Sequence, residues 1–353
     1  MEQVLQEFRS RIAAAASGNT PLCLRGGGSK DWYGHALQGE VLDTRGYSGI
    51  VAYDPTELVI TARCGTRLSE IEAALAEHRQ MLAFEPPHFT ADSTIGGVVA
   101  AGLSGPRRQT AGAVRDFVLG ATLMDGKGDV LRFGGQVMKN VAGYDVSRLL
   151  AGSLGTLGLI LDVSLKVLPK PFFETTLGFS MSEAQAIEQL NRWGGQPLPV
   201  SASAWHCGML IVRLSGARAA VDAAARKMGG ETVPEAEPFW RGLRDQTNSF
   251  FTEGDTSVWR LSLPSHAPPL ALEGAQLIEW GGAQRWLRTE LDAATIRRAA
   301  EQAGGHATLY RSRDKRAGAF HPLAPAVAAI HRNLKNAFDP SGIFNRGRMY
   351  PEF

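Results

Sequence analysis

Cysteine is scarce in this sequence of 353 residues, and the three that occur, Cys23, Cys64 and Cys207, lie far apart. An odd number of widely separated cysteines argues against a disulfide framework and indicates a reducing compartment. The same scarcity excludes an iron–sulfur cluster held by this chain alone, because the usual cluster needs four thiolates.

The sequence also lacks a large excess of one sign of charge and lacks long apolar runs. The formal net charge is only +2 and no basic tract stands out, so we expect no nucleic-acid partner. No apolar run reaches the ~20 residues that span a bilayer. The N-terminus places Glu2 and Glu7 ahead of a small-residue run, which is not the pattern of a secretory signal. We therefore expect a cytoplasmic protein, in which any membrane association would have to come through a partner.

The two commonest phosphate-binding fingerprints are absent as well. No G-x-G-x-x-G sequence opens a helix, which removes the Rossmann signature. The order Gly28-Ser29-Lys30 is wrong for a Walker A loop, which needs Gly-Lys-Ser/Thr. NAD and ATP therefore lose most of their support as ligands.

Apolar periodicity predicts the main helices and strands. Leu68, Ile71 and Leu75 form a helical stripe, for which Thr66 is the predicted N-cap. Alternation over residues 159–167 predicts a strand with one apolar face, and Asp125-Gly126 between two strand-like segments predicts a hairpin turn. The same patterns predict helices over residues 3–16, 292–302 and 327–338, and short strands over 21–24 and 58–62.

Glycine is concentrated in one stretch. Residues 96–158 hold 14 glycines in 63 positions, where average usage would give roughly 4–5. Such density between strands indicates many turns with positive φ, or backbone that lies close to another group. Pro169 and Pro171 follow, and beyond them the composition becomes richer in alanine, tryptophan and charge. We therefore place a domain boundary near residue 170.

The first candidate site is Arg25-Gly26-Gly27-Gly28-Ser29, directly after a predicted strand. Three glycines allow the backbone N–H groups to turn inward as an anion-binding nest, to which Arg25 adds charge and Ser29 a hydroxyl donor. A pyrophosphate is the natural ligand of such a loop. A tight strand-to-helix turn accounts for the same five residues.

Three further glycine-containing motifs follow in order along the chain. They are Pro86-Pro87 with Thr94-Ile95-Gly96-Gly97 and Gly102-Leu103-Ser104-Gly105, then Asn140-Val141-Ala142-Gly143-Tyr144-Asp145 with Gly152-Ser153-Leu154-Gly155-Thr156-Leu157-Gly158-Leu159-Ile160, and finally Asp339-Pro340-Ser341-Gly342-Ile343-Phe344-Asn345-Arg346-Gly347-Arg348. Together, the four motifs resemble the FAD-binding fold shared by vanillyl-alcohol oxidase and p-cresol methylhydroxylase. The resemblance covers residues 20–170 and 320–350.

The resemblance implies an α+β protein. Its parts would be a two-subdomain FAD-binding domain of the p-cresol methylhydroxylase type over residues 1–170, an α+β cap domain over 171–318, and a C-terminal segment over 319–353 that returns to the FAD domain.

The resemblance also implies the residues that would bind FAD. Arg25, Gly26, Gly27, Gly28 and Ser29 would hold the pyrophosphate; Thr94, Gly96, Gly97, Ser104 and Gly105 would line the ribityl chain and flavin, with Pro86 in the same motif; Gly155, Gly158 and Ile160 would approach the adenosine half; and Asn345 would reach the flavin edge. Some family members attach the flavin to a histidine of the glycine-rich loop. That loop has no histidine here, and His35 lies off the motif, so we predict non-covalent FAD.

Within this family, the sequence is most similar to the smaller FAD-binding subunits of bacterial glycolate oxidases. The phrase Met138 to Asp145 and the ending Asn345 to Pro351 carry that similarity, although Arg346 stands where the family more often has proline. The similarity implies electron transfer in the oxidation of a small 2-hydroxy acid such as glycolate. It implies two partners, a larger FAD-containing subunit and an iron–sulfur subunit.

A histidine-rich metal motif of related hydroxy-acid dehydrogenases is missing. His206, His266, His306, His321 and His331 are scattered, with no second histidine at ligand spacing. We therefore predict no metal site, assign no catalytic residue, and favour an electron-carrying role.

Two other functions stay open. The chain could be a stand-alone flavin dehydrogenase that grips a carboxylate with Arg311, Arg313 and Arg316, or a non-catalytic scaffold with an empty pocket.

Overall fold

The computed structural model describes residues 1–135 and 145–353. The motif phrase over 138–144 therefore lies outside the described residues. Contacts divide the chain into two compact units. The first unit comprises Met1–Leu103, Ala113–Pro169 and Pro322–Phe353, and the second comprises Ser104–Gly112 and Lys170–His321. The C-terminal segment thus belongs to the same unit as the N-terminal helix.

Helices and strands both contribute substantially, so the fold class is α+β, as predicted. The α-helices of the described residues are α1 Glu2–Gly18, α2 Leu68–Glu77, α3 Ile95–Ala101, α4 Arg108–Ala111, α5 Val114–Phe117, α6 Glu183–Gly194, α7 Arg218–Met228, α8 Glu237–Asp245, α9 Ser249–Thr252, α10 Ala293–Gln302 and α11 Pro325–Phe338. The strands are β1 Leu22–Arg25, β2 Glu40–Asp43, β3 Ile50–Asp54, β4 Val59–Arg63, β5 Gln80–Met81, β6 Val118–Met124, β7 Val130–Gly134, β8 Leu159–Lys166, β9 Leu168–Pro169, β10 Phe173–Ser180, β11 Val200–His206, β12 Met209–Gly216, β13 Glu231–Thr232, β14 Val258–Ser262, β15 Ala275–Glu279, β16 Gln284–Arg288 and β17 His306–Arg311. Among these described helices, none has the length and apolar character needed to cross a membrane.

The main sheet of the first unit is antiparallel, with described strands in the order β3-β4-β8-β6-β7. Strand β8 lies at its centre and is buried on both faces, whereas its sequence alternation predicted one apolar face. Ser164 occupies the other face and forms a buried hydrogen bond of 2.8 Å with Thr61 of β4. A hydroxyl pair therefore satisfies Ser164, one of the polar positions that the alternation had placed toward solvent.

The predicted hairpin between β6 and β7 is confirmed. Asp125 closes its turn, because one carboxylate oxygen accepts hydrogen bonds of 2.9 Å from the amides of Lys127 and Asp129. The predicted N-cap of α2 is wrong, since the cap position is Arg67. The Thr66 hydroxyl instead donates to the carbonyl of Arg63 at 2.7 Å, a local bond that competes with capping, and it also lies 3.1 Å from the carbonyl of Gly49.

The second unit is built on an eight-stranded sheet over its described residues, in the order β13-β10-β12-β11-β15-β16-β14-β17. Leu210, Val212 and Leu214 alternate along β12, so they share one face and pack with Trp193 of α6 in one core cluster. A second cluster gathers Trp259 of β14 with residues of β16, α10 and β17. The tryptophans of this unit are thus mainly core residues.

Candidate functional site

The C-terminal segment of the first unit returns to the first strand. Phe344 forms a parallel bridge with Leu22 of β1. Next to it, the side chain of Asn345 accepts a hydrogen bond of 2.8 Å from the amide of Leu24 and donates one of 2.5 Å to the carbonyl of Leu154. Asn345 is buried and has a φ of 41°, a left-handed conformation that asparagine tolerates better than most residues. One side chain therefore joins three segments that are distant in sequence.

Two adjoining hollows open around this junction, with empty volumes of about 390 Å³ and about 510 Å³ that include solvent-open space. Leu24, Gly97, Ala100, Leu154 and Asn345 are among the residues that line both of them. The two hollows therefore form one elongated cleft in the first unit, which we call the glycine-lined cleft.

Most of the residues predicted to bind a cofactor line the glycine-lined cleft. The lining members of that set are Arg25, Gly26, Gly27, Gly28, Ser29, Thr94, Gly96, Gly97, Gly155, Gly158, Ile160 and Asn345. Pro86, Ser104 and Gly105 are not among the lining residues of either hollow. Pro86 is buried before α3, and Gly105 belongs to the second unit, where its carbonyl accepts from the indole of Trp280.

The loop after β1 offers unused hydrogen-bond donors to the cleft. Within the described residues, the amides of Gly27, Gly28 and Ser29 donate to no protein acceptor. Three successive free N–H groups in a turning loop form an anion-binding concavity. This loop therefore fits a phosphate-bearing ligand.

Packing within the protein requires glycine at two positions of this loop, even without a ligand. A methyl group at Gly27 would overlap the main-chain carbonyl of Asp92, and one at Gly26 would overlap the hydroxyl of Thr94. The turn that precedes α3 therefore presses directly on the loop. Thr94 also caps α3, because its hydroxyl accepts from the amide of Gly97.

The larger hollow is cationic. Arg25 makes an ion pair of 2.7 Å with Asp31, and this hydrogen-bonded pairing raises the pKa of Arg25. Arg348 donates from the C-terminal segment to the carbonyls of His35, Lys30 and Asp31. The Arg348 guanidinium thus clamps the main chain that follows the glycine loop, while burial lowers its pKa.

Lys30 also lines the cationic hollow. Its ammonium donates to the Ser29 hydroxyl at 3.2 Å and lies 5.6 Å from the centre of the Phe89 ring. Burial lowers the pKa of Lys30 to about 8. The sequence analysis did not assign Lys30 or Arg348 as binding residues, although Lys30 directly follows the glycine loop and Arg348 is the last residue of the C-terminal motif.

The smaller hollow has fewer charged lining residues, because Arg25 lines both hollows but Lys30, Asp31 and Arg348 line only the larger one. Leu159, Ile160 and the buried thiol of Cys64 are among its lining residues. Burial raises the pKa of Cys64 to about 12, so the thiol stays neutral. A cleft with one cationic and one largely apolar end fits an elongated ligand that joins phosphate groups to aromatic rings.

The basic run of the second unit is already paired. Arg313 lies 2.6 Å from Asp255, and Arg316 lies 2.6 Å from Asp314. Arg311 donates to the side chain of Gln246 at 2.9 Å. The Arg313 and Arg316 side chains are 81% and 91% exposed, so these two are surface ion pairs of small net strength.

Comparison with known protein families identifies the kind of cofactor that the chain binds. Residues 5–134 match a family model described as an FAD binding domain, which confirms the predicted cofactor. The solved structure of alkyldihydroxyacetonephosphate synthase superimposes with a TM-score of 0.65 at 16% identity, covering 96% of this chain and 75% of that chain. This match confirms the predicted p-cresol methylhydroxylase-type fold.

Curated proteins give the family. Over 174 residues the chain is 34% identical to glycolate oxidase subunit GlcD of Bacillus subtilis (strain 168), covering 49% of this chain and 35% of that protein. Over 347 residues it is 48% identical to glycolate oxidase subunit GlcE of Escherichia coli (strain K12), covering 98% of this chain and 97% of that protein. Identity at this level over nearly the full length of both chains means that this chain belongs to the glycolate oxidase subunit GlcE family.

Proposed function

We propose that this chain is the FAD-binding subunit of an assembly that oxidises a small 2-hydroxy acid, with glycolate as the leading substrate. The observation that carries the proposal is the glycine-lined cleft, with its free loop amides at one end and its apolar walls at the other. Nearly full-length similarity to a protein named as a glycolate oxidase subunit supports the substrate class.

The residues of the cleft have separable tasks in this proposal. The amides of Gly27 to Ser29 would bind the pyrophosphate non-covalently, since the loop contains no histidine. Asn345 and Arg348 would hold the shape of the loop from the C-terminal side. When bound, the flavin supplies hydride and electron acceptance, while the protein supplies position and electrostatics.

We further propose that this chain carries electrons and does not itself hold the substrate. The sequence lacks the histidine-rich metal motif of related hydroxy-acid dehydrogenases, and Arg311, Arg313 and Arg316 already contact other side chains of the second unit. The partners in this proposal are a larger FAD-containing subunit and an iron–sulfur subunit. Any membrane association would come through them.

An absorbance spectrum of the purified chain, recorded before and after addition of glycolate, tests the proposal. Flavin bands that persist unbleached with the isolated chain, and bleach once the partner subunits are added, are the expected result. Rapid bleaching by the chain alone would assign substrate oxidation to this subunit. A colourless protein that takes up no FAD would contradict the cofactor proposal altogether.

A further inference from the structure

Lys30 is a cation of the cleft without a carboxylate partner. In the described part of the chain, no Asp or Glu lies within ion-pair distance of its ammonium. The ammonium contacts the neutral hydroxyl of Ser29 and the ring of Phe89. A partly buried ammonium held this way retains most of its capacity to attract an anion.

The charged side chains that line the cationic hollow leave it with a net positive charge. Arg25 and Asp31 neutralise each other as an ion pair. Arg348 is engaged by main-chain carbonyls, and Lys30 is engaged by a hydroxyl, so both keep their charge. The hollow therefore carries a net charge of about +2 when Lys30 is protonated, which matches the two negative charges of a diphosphate diester.

We propose that Lys30 is a diphosphate-binding residue, and that its ammonium makes the affinity of the cleft for FAD dependent on pH. This inference rests on the proposed FAD-binding function and extends it to a residue outside the glycine loop. Lys30 lines the same hollow as Gly27, Gly28 and Ser29, so a diphosphate bound by those amides would share that hollow with the ammonium.

Among the charged groups around Lys30, Lys30 itself is the one whose protonation is expected to control the pH dependence of FAD affinity. On its loop these are Arg25 and Asp31, and Arg348 faces it from the C-terminal segment. The segment before α3 contacts the ammonium through Phe89. Its charged groups have other partners: His88 contacts Glu72 at 2.9 Å, and Asp92 contacts Arg67 at 3.2 Å.

The direction of the effect follows from linkage. Burial lowers the pKa of Lys30 to about 8 in the free protein, and an adjacent dianion favours the ammonium and raises that pKa again. Binding is therefore tightest below about pH 8, where Lys30 is already protonated. Affinity falls as the pH rises through 8, because a proton must then be taken up on binding.

The experiment measures FAD dissociation constants of the apoprotein by flavin fluorescence at about pH 6.5 and about pH 9.5. For the unsubstituted chain, the dissociation constant is expected to rise on the order of tenfold between the two pH values. Lys30→Met is expected to weaken binding on the order of tenfold at the lower pH and to abolish the pH dependence. Lys30→Arg is expected to keep tight binding at both, because a guanidinium does not deprotonate in this range.

Two controls isolate the contribution of the Lys30 ammonium. Lys127→Met removes an exposed lysine of the same unit and is expected to reproduce the unsubstituted profile. Riboflavin lacks the diphosphate and is expected to bind with no comparable pH slope.

A flat profile for the unsubstituted chain, the same slope in Lys30→Met, or an equal slope for riboflavin overturns the inference. Should Lys30→Met fail to fold, the unsubstituted chain and Lys30→Arg still decide the question. Failure of the unsubstituted chain to bind FAD at either pH would instead overturn the proposed function.

Discussion

The ammonium of Lys335 and the carboxylate of Asp339 form an ion pair of 2.7 Å in which the side chains are only 7% and 0% exposed. The same ammonium donates to the carbonyls of Thr156 and Phe344, and the carboxylate accepts from the amide of Phe344. One buried pair thus fastens the end of α11, the loop before β8 and the C-terminal segment to each other.

Removing the negative member of this pair is expected to destabilise the fold. Asp339→Asn leaves the Lys335 ammonium buried without its counter-charge, a change that typically costs about 3–5 kcal/mol of unfolding free energy. Chemical denaturation followed by circular dichroism measures the loss. Glu57→Gln, at an exposed position of the same unit, is the control and is expected to leave the midpoint unchanged. Equal midpoints for Asp339→Asn and the unsubstituted chain would show that the pair contributes nothing.

A methyl group in the glycine loop is expected to abolish cofactor retention. In Gly27→Ala the new carbon would overlap the Asp92 carbonyl, so the loop must shift and its amides lose their arrangement. Flavin absorbance per chain after gel filtration is the measurement. Gly46→Ala is the matched control, since nothing lies within 4 Å of a methyl group there. Full flavin content in Gly27→Ala would contradict the role of the loop.

Only one of the three thiols is expected to react in the folded protein. Cys23 and Cys64 are buried, whereas Cys207 is exposed. Burial raises the pKa of both buried thiols, which suppresses the reactive thiolate. Mass spectrometry after brief iodoacetamide treatment should find a single label on the native chain and three labels after denaturation. Labelling of native Cys207→Ser would reveal that a buried thiol is accessible.

The carboxyl of Asp162 is expected to cost stability at neutral pH. One of its oxygens is buried without a hydrogen-bond partner in the described part of the chain, and burial raises its pKa. When a carboxyl has a higher pKa in the folded state than in the unfolded state, the folded protein loses stability as the pH rises. The loss begins near the unfolded-state pKa, ~4, and is complete above the folded-state pKa. Asp162→Asn should therefore melt at a higher temperature than the unsubstituted chain at about pH 7 and at the same temperature at about pH 3.5.

Thermal scans at the two pH values test this expectation. Asp129→Asn, at an exposed carboxyl of the same unit, is the control and should show no such difference. An Asp162→Asn variant that melts lower at neutral pH would indicate that an ionised Asp162 is stabilising.

The predictions that succeeded depended on short-range chemistry. The Asp-Gly turn between β6 and β7 closes as expected, because the carboxylate of Asp125 bonds amides only two and four residues away. The prediction for Thr66 failed because its hydroxyl had other acceptors to choose from, the carbonyl of Arg63 three residues before it and that of Gly49 on a segment 17 residues away. Spacing along the chain does not decide between such alternatives.

The glycines of the loop show a different limit. In the sequence they predicted an anion-binding nest, with a tight strand-to-helix turn as the alternative. At Gly27, however, the first group met is the carbonyl of Asp92, so internal packing alone requires glycine there. A pattern of small residues shows that space is tight, but only coordinates show what fills it.

The sequence by itself determined the secondary structure of the cleft walls, the glycine loop after β1 and the FAD-binding family, because these depend on residue types at fixed local spacing. Only the tertiary structure decided that Asn345 joins Leu24 to Leu154, that Arg348 clamps the loop beside Lys30, and that Ser104–Gly112 belongs to the second unit. Those contacts join residues up to 321 positions apart. Their formation depends on how the whole core packs, and no local pattern records that.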